Sequence, residues 1–260
     1  MSKRSFVKYH GLGNDFILID DREGTFPIGE VSPLCHRKFG IGADGVILFQ
    51  SPCRMRIFNS DGTEAESCGN GLRCFVLFLR ELGIYKEVYS IQIGNRAVEA
   101  KMAGNQVAVN LGEPTGLRLH LATEIGAVHF VDTGVPHVVH FVPDVDVIDL
   151  PTTASRLRPL FAPRGANVNV AALQPDHSLR VRTYERGVEA ETLACGTGAV
   201  AVAAVARKVY GLEGALQICF PGGSLVIDRE WMIGEATRVF EGECSGFFPT
   251  EQSSIGSVVL

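Results

Sequence analysis

Two of the seven cysteines are placed unlike the other five. Cys68 and Cys195 lie 127 positions apart, and each opens the pattern Cys-Gly-x-Gly, as Cys68-Gly69-Asn70-Gly71 and Cys195-Gly196-Thr197-Gly198. A thiol at the start of a helix sits beside backbone N–H groups that carry partial positive charge. Such a start attracts a carboxylate, and the glycines let a ligand approach the backbone. The same field stabilises a thiolate. The helix contributes ~0.3–1 kcal/mol when exposed and up to ~2 kcal/mol when partly buried. That is at most roughly one to two pKa units, so lowered thiol pKa values are expected. Two such thiols on opposite faces of an α-carbon could remove a proton from one side and deliver one to the other. General acid–base chemistry alone suffices, with no Schiff base and no cofactor.

The elements that must hold these thiols occur twice. The strand-like run 55–59 leads through SDGTEAESCGNG to Gly71, and the run 181–185 leads through RGVEAETLACGTG to Gly198. Gly13-Asn14-Asp15-Phe16 and Gly134-Val135-Pro136-His137 form a looser second pair in the same order. Internal duplication is the reading. After each cysteine a helix is expected, over about 70–82 ending at Gly83 and over about 197–210 ending at Gly211. Glycine suits both ends, and Arg207 and Lys208 suit the negative end of the second dipole. LRCFVLFL and AVAVAAVA are apolar nearly all round, which marks buried helices. ILID, GVILF, MRIF, SIQI, VAVNL, HFV, HVVHFV, NVNVAAL, LRVRTY, LQICF and SLVID read as strands. The expected fold is α+β, with two pseudo-symmetric domains, each a curved mixed β-sheet wrapped around a central buried helix. The first spans 1–112 and carries Cys68, with the segment after about 236 free to pack back on it. The second spans 113–245 and carries Cys195, and 246–260 reads as a loose tail.

Composition narrows the function. The 260 residues are 46% hydrophobic and 20% charged, with a net charge of −5 and no basic stripe, which argues against nucleic acid. The run 199–206 is too short to cross a bilayer, and no signal-peptide pattern opens the sequence. A cytoplasmic protein with free thiols is expected, with a small-molecule amino-acid substrate, no membrane partner, and a homodimer among the assemblies open to it. Cys35, Cys53, Cys74, Cys219 and Cys244 read as inert thiols. GIGADG at 40–45 spells G-x-G-x-x-G, but the strand follows it instead of preceding it, so it reads as a tight turn. No C-x-x-C pair occurs, and His137 and His140 should face opposite sides of a strand, so no metal site is expected. His10, His36, His120, His129, His140 and His177 read as structural or surface residues. Asp61, Glu64 and Glu66 read as solvated charge, and Trp231 as a turn residue.

HGLGNDF at 10–16, GIGAD at 40–44, RIFNSDG at 56–62, ESCGNGLRC at 66–74, YERG at 184–187, ACGTGA at 194–199, PGGSL at 221–225 and GEA at 234–236 carry a resemblance to the diaminopimelate epimerase family over nearly the whole chain. The resemblance implies a pyridoxal-free interconversion of L,L- and meso-diaminopimelate, serving lysine synthesis and peptidoglycan precursors. It implies acid/base roles for Cys68 and Cys195, and α-carboxylate binding by Gly69, Asn70, Gly196 and Thr197. Substrate contacts are implied for Asn14, Asn59 and Asn167, and for Glu185 and Arg186 of YERG, where arginine suits a bidentate grip on a distal carboxylate. His137 matches a histidine near the reacting centre, and Glu185 is grouped with it as catalytic. Three positions depart from the family pattern: Gly45 replaces a glutamine, Val135 replaces an asparagine, and the segment between Glu185 and Cys195 is one residue longer. The first two departures remove polar contacts and suggest a roomier, less selective site. A broader amino-acid racemase is the alternative within enzymes; a thiol redox protein or a non-catalytic binding module lies outside them.

Overall fold

The computed structural model describes residues 3–65, 68–161, 163 and 165–245. The first half contains β1 (Lys3–Gly11), β2 (Asn14–Asp20), α1 (Val31–Cys35), β3 (Gly45–Gln50), β4 (Arg54–Asn59), α2 (Gly69–Glu81), β5 (Tyr89–Ile93), β6 (Arg96–Ala103) and β7 (Gln106–Asn110). The second contains β8 (Thr115–Thr123), β9 (Gly126–Asp132), β10 (Pro136–Phe141), α3 (Leu150–Leu157), β11 (Asn167–Leu173), β12 (Leu179–Glu185), β13 (Ala190–Thr192), α4 (Gly196–Tyr210), β14 (Leu216–Phe220), β15 (Gly223–Asp228), β16 (Trp231–Gly234) and β17 (Thr237–Ser245). The segment 246–260, expected as a loose tail, lies outside the described residues.

Strand pairing repeats the sequence duplication. In the first half β2 runs parallel to β3, β3 antiparallel to β4, β4 parallel to β5, and β5, β6 and β7 follow antiparallel. In the second half β10, β11, β12, β14, β15 and β16 follow the same order of parallel and antiparallel steps. The two series join where β7 pairs antiparallel with β16. The last strand of each series is exchanged. β8 leaves β7 and pairs with β9 of the second half, whereas β17 leaves β16 and pairs with β1 of the first. The architecture is therefore the α+β arrangement expected, with a crossed pair of strands tying its halves together.

Each long helix lies inside its own set of strands. α2 packs on β1, β2, β3, β6 and β7, and α4 packs on strands of the second half from β8 to β16. Leu72, Cys74, Phe75, Val76 and Leu79 of α2 are buried, as are Val200, Ala201, Val202, Ala203, Val205 and Ala206 of α4. An apolar surface on every side needs this enclosure, because any face turned to water would lose its transfer free energy. α4 ends at Gly211 with φ 66°, and α2 is followed by Gly83 with φ 78°, the left-handed conformation that glycine adopts without a Cβ penalty.

Several elements differ from expectation. Trp231 opens β16, opposite Asn110 and Asp228, and lies 4.3 Å under the Lys101 ammonium; its neighbours in sequence are turn-formers, but pairing with β7 extends it. β1, β6, β8 and β17 were not expected as strands. Their exposed faces alternate Lys, Arg, Glu and His with apolar residues, so no continuous apolar run marks them. GIGADG is irregular, with bends at 40, 41 and 44, and its last glycine opens β3. Among the described residues no helix is long and apolar enough to cross a membrane.

Candidate active site

Both cysteines occupy the same local geometry. Cys68 is the N-cap of α2, with φ −154° and ψ 111°, and its Sγ accepts from the Gly71 N–H at 3.3 Å. Cys195 is the N-cap of α4, with φ −123° and ψ 113°, and its Sγ accepts from the Gly198 N–H at 3.4 Å. Each sulfur thus takes the place that a serine or aspartate oxygen fills in an ordinary N-cap. The remaining first-turn N–H groups have no partner inside the helix and can serve an anion.

The two helix starts meet. A Cβ built on Gly196 would stand 3.7 Å from the Gly69 Cα and 2.8 Å from Met232 Sδ, and one on Gly69 would stand 2.8 Å from Met232 Cε. Glycine at both places lets the N-termini of α2 and α4 converge over Met232, so two positive helix ends face one site. Asn70 spans the junction, its Nδ2 donating to Asn14 Oδ1 and to the Ala194 carbonyl oxygen, each at 3.3 Å.

Around Cys68, the Asn14 amide is oriented by Asp44. Asn14 Nδ2 donates to Asp44 Oδ2 at 2.8 Å, and its Oδ1 accepts from Cys68 Sγ at 3.6 Å. Arg37 bridges Asp44 and Asp15, and Lys8 donates to Asp15 at 2.6 Å. Burial raises the Asp15 pKa, but hydrogen bonds from Arg37 and Lys8 outweigh it and hold the carboxyl well below its usual range. Asp44, the last residue of GIGAD, is thereby a site residue that sequence reasoning left without a role.

Around Cys195, Thr197 Oγ1 lies 3.5 Å from the sulfur, and Glu185 shares a hydrogen bond with the thiol. Glu185 is itself pushed up by burial and held by Thr192, whose Oγ1 donates to Oε1 at 2.6 Å. The charge of Glu185 is felt by both cysteines. Arg186 follows it, and its N–H donates to Asn167 Oδ1 at 2.8 Å, tying the YERG turn to β11.

The expected lowering of the thiol pKa values is overturned. Cys68 retains some accessible surface, yet its sulfur is closely packed, and desolvation pushes it up to about 11 against the opposing Gly71 N–H. Cys195 is buried and pushed well above the ordinary thiol value, with Glu185 adding to the rise. The helix field is worth ~2 kcal/mol at most, and loss of water around a charged sulfur exceeds it. Cys35 and Cys74, among the thiols expected to be inert, are pushed up by burial to about 12.

His137, expected near the reacting centre, meets two asparagines of β11. It is fully buried, with Nδ1 3.1 Å from Asn169 Nδ2 and Nε2 3.4 Å from Asn167 Nδ2. Burial lowers its pKa to about 3, so it is neutral at ordinary pH and has no imidazolium proton to give. Asn169 was missed, although Asn167 and Asn169 two apart in NVNVAAL share one strand face. Asn59 is exposed and donates to Thr63 Oγ1 at 3.0 Å. Glu64 is not merely solvated, since it pairs bidentately with Arg56; Glu66 lies outside the described residues.

Gly45 has a structural cause. A Cβ there would lie 2.3 Å from the Phe58 carbonyl oxygen, so the backbone of β4 excludes any side chain. Val135 is half-buried, and its carbonyl oxygen accepts from the Thr133 N–H at 3.0 Å. A cavity of about 600 Å³ opens at the far end of α4, lined by Ala204, Arg207, Lys208 and Leu212, and neither Cys68 nor Cys195 lines it.

A family model described as diaminopimelate epimerase matches residues 6–117 and 129–243. The diaminopimelate epimerase of Methanocella arvoryzae is 43% identical, over 94% of this chain and 97% of the relative. That of Archaeoglobus fulgidus is 41% identical, over 92% and 95%. Among solved structures, a PhzF-family phenazine biosynthesis protein of Bacillus anthracis superposes with a TM-score of 0.75 at 17% identity, covering 94% of this chain and 100% of that one. A hydroxyproline epimerase from Agrobacterium vitis gives 0.63 at 15% identity, covering 96% of each. At such identities these two likenesses concern the fold alone.

Proposed function

This chain belongs to the diaminopimelate epimerase family, and from that premise we propose that Cys68 and Cys195 invert the α-carbon of diaminopimelate from its two faces. The protein is an isomerase that interconverts L,L- and meso-diaminopimelate. The observation that carries the two-thiol reading is the convergence of two thiol-capped helix starts at Gly69 and Gly196.

In this reading the substrate α-carboxylate takes the first-turn N–H groups of Gly69, Asn70, Gly196 and Thr197. One sulfur, as thiolate, accepts the α-proton as the C–H bond breaks. The other, as thiol, gives its proton to the opposite face of the resulting carbanion. One proton is taken and one given, which leaves the protonation states of the two sulfurs exchanged; that form acts on the isomer of opposite handedness, and proton exchange with solvent restores the first. Asn14, hydrogen-bonded to Cys68, and Glu185, hydrogen-bonded to Cys195, are proposed to contact the substrate, as are Asn167 and Arg186, which are joined to each other; Asn59, at the exposed end of β4, is proposed to do so only from the rim. Proton exchange between two thiols asks for no cofactor. The thiolate has to be formed against burial, which makes the surrounding charges part of the machinery.

The broader-specificity reading loses one of its two motives, because Gly45 is demanded by the Phe58 carbonyl and not left by a lost contact. A cytoplasmic setting is part of the proposal, supported by seven free cysteines. The test is proton NMR in D₂O with reductant, following the α-proton of L,L-diaminopimelate. Loss of that signal with growth of the meso isomer is expected. A folded, reduced protein that exchanges no proton would refute the proposal.

A further inference from the structure

Arg73 is the largest of the fully buried side chains, and it stands in the first turns of the helix that Cys68 opens. Its Nε donates to the Glu235 carbonyl oxygen at 3.0 Å and its Nη2 to Asn70 Oδ1 at 2.9 Å. Its Nη1 faces the Gly69 carbonyl oxygen at 3.4 Å and Met232 Sδ at 3.6 Å. Every one of these partners is neutral. Among the described residues no ion pair includes Arg73. A buried cation without an anion is strongly unfavourable in a low dielectric, and structures that keep one give it a charge to face.

The backbone is shaped to admit this group. A Cβ on Gly11 would lie 3.0 Å from Nη2, and one on Gly234 would lie 3.3 Å from Nε. The glycines of HGLGNDF and GEA, at the ends of β1 and β16, thus close on the guanidinium from both halves of the repeat. Two of its hydrogen bonds end on Gly69 and Asn70, the two residues after Cys68.

We propose that Arg73 is the fixed counter-charge of the site, stabilising the Cys68 thiolate and the anionic substrate at the joined helix starts. This rests on the reading of Cys68 as an acid/base group. Arg73 is a positioning residue: it acts through Gly69 and Asn70 and does not itself reach the reacting atoms. The two thiols are consequently unequal. At Cys68 the cation Arg73, which also faces Cys74, opposes the charge of Glu185, whereas at Cys195 the charge that acts is the carboxylate of Glu185.

The test measures iodoacetamide alkylation of Cys68 and Cys195 separately, by peptide mass spectrometry, from neutral to alkaline pH. It compares the wild type with Arg73→Gln, which keeps donors without charge, and Arg73→Lys, which keeps the charge. In the wild type Cys68 should alkylate with the lower midpoint. Arg73→Gln should raise the Cys68 midpoint by about one pH unit or more, and Arg73→Lys should restore it. Equal Cys68 profiles in the Gln and Lys variants would overturn the proposal, because a packing role does not distinguish charge. Where neither variant folds, a wild-type Cys68 midpoint at or above that of Cys195 would overturn it. Alkylation needs no substrate, so its outcome is separate from that of the NMR experiment on diaminopimelate.

Discussion

Asn70 Nδ2 donates to the Ala194 carbonyl oxygen at 3.3 Å, so the residue two after Cys68 grips the residue just before Cys195. The contact spans 124 positions and is buried. It makes the separation of the two sulfurs a property of one joint, in which α2, α4 and Met232 take part. Inverting a carbon between two sulfurs requires such a joint, because an error of about 1 Å in a reacting distance costs on the order of 10²-fold in rate.

Glu185 should tune Cys195. Its buried carboxylate opposes a second negative charge on the sulfur. Glu185→Gln is expected to move the alkylation midpoint of Cys195 downward by about one pH unit, with a smaller downward shift at Cys68. An unchanged or higher Cys195 midpoint would show that the carboxylate is not what raises it.

Gly222 of PGGSL holds the site loops together. Its N–H donates to the Leu193 carbonyl oxygen at 2.8 Å, and a Cβ would lie 2.3 Å from the Leu12 carbonyl oxygen and 2.9 Å from that of Leu193. These are backbone atoms with no rotamer to change. Gly222→Ala should cost about 1–3 kcal/mol or more, lowering Tm by several degrees, and should reduce kcat because Leu193 leads directly to Cys195. A Tm and kcat equal to those of the wild type would contradict this packing.

Acid should destabilise the fold through its buried imidazoles. The folded-state pKa of His137 is lowered to about 3, and burial lowers that of His129 to about 4, both below the ordinary 6.5. The unfolded chain therefore binds protons first as pH falls. Their contribution is fully present above pH 6.5 and is lost progressively toward pH 4 and then 3. Thermal unfolding across this window should show Tm falling with pH, and the fall should be shallower in His137→Gln. Equal slopes in the two proteins would place the titrating group elsewhere.

Much of the site was legible because its signals are local. Cys-Gly-x-Gly, the Gly211 stop and the apolar helix bodies each depend on a few neighbouring residues, and the two halves confirm one another. The pairing of β8 with β9 was not legible, because a strand's partner is set by tertiary pairing and not by its own pattern, whereas a return of the segment after about 236 to the first half was among the expectations. The sign of the thiol shifts was missed for a related reason: the helix field can be read from sequence, whereas desolvation depends on what the rest of the chain brings to the sulfur. Arg73 did leave a signal. A single cation inside LRCFVLFL has to be buried with its helix, and a buried cation asks what anion it faces.

The central claim is that both thiols are needed, one for each face. Cys68→Ala and Cys195→Ala, each shown by circular dichroism to keep the fold, should be assayed by NMR in D₂O with L,L- and with meso-diaminopimelate. Removing one acid/base partner is expected to slow interconversion in both directions by about 10²–10⁴-fold. Either single variant interconverting the isomers at close to the wild-type rate would contradict the two-thiol mechanism.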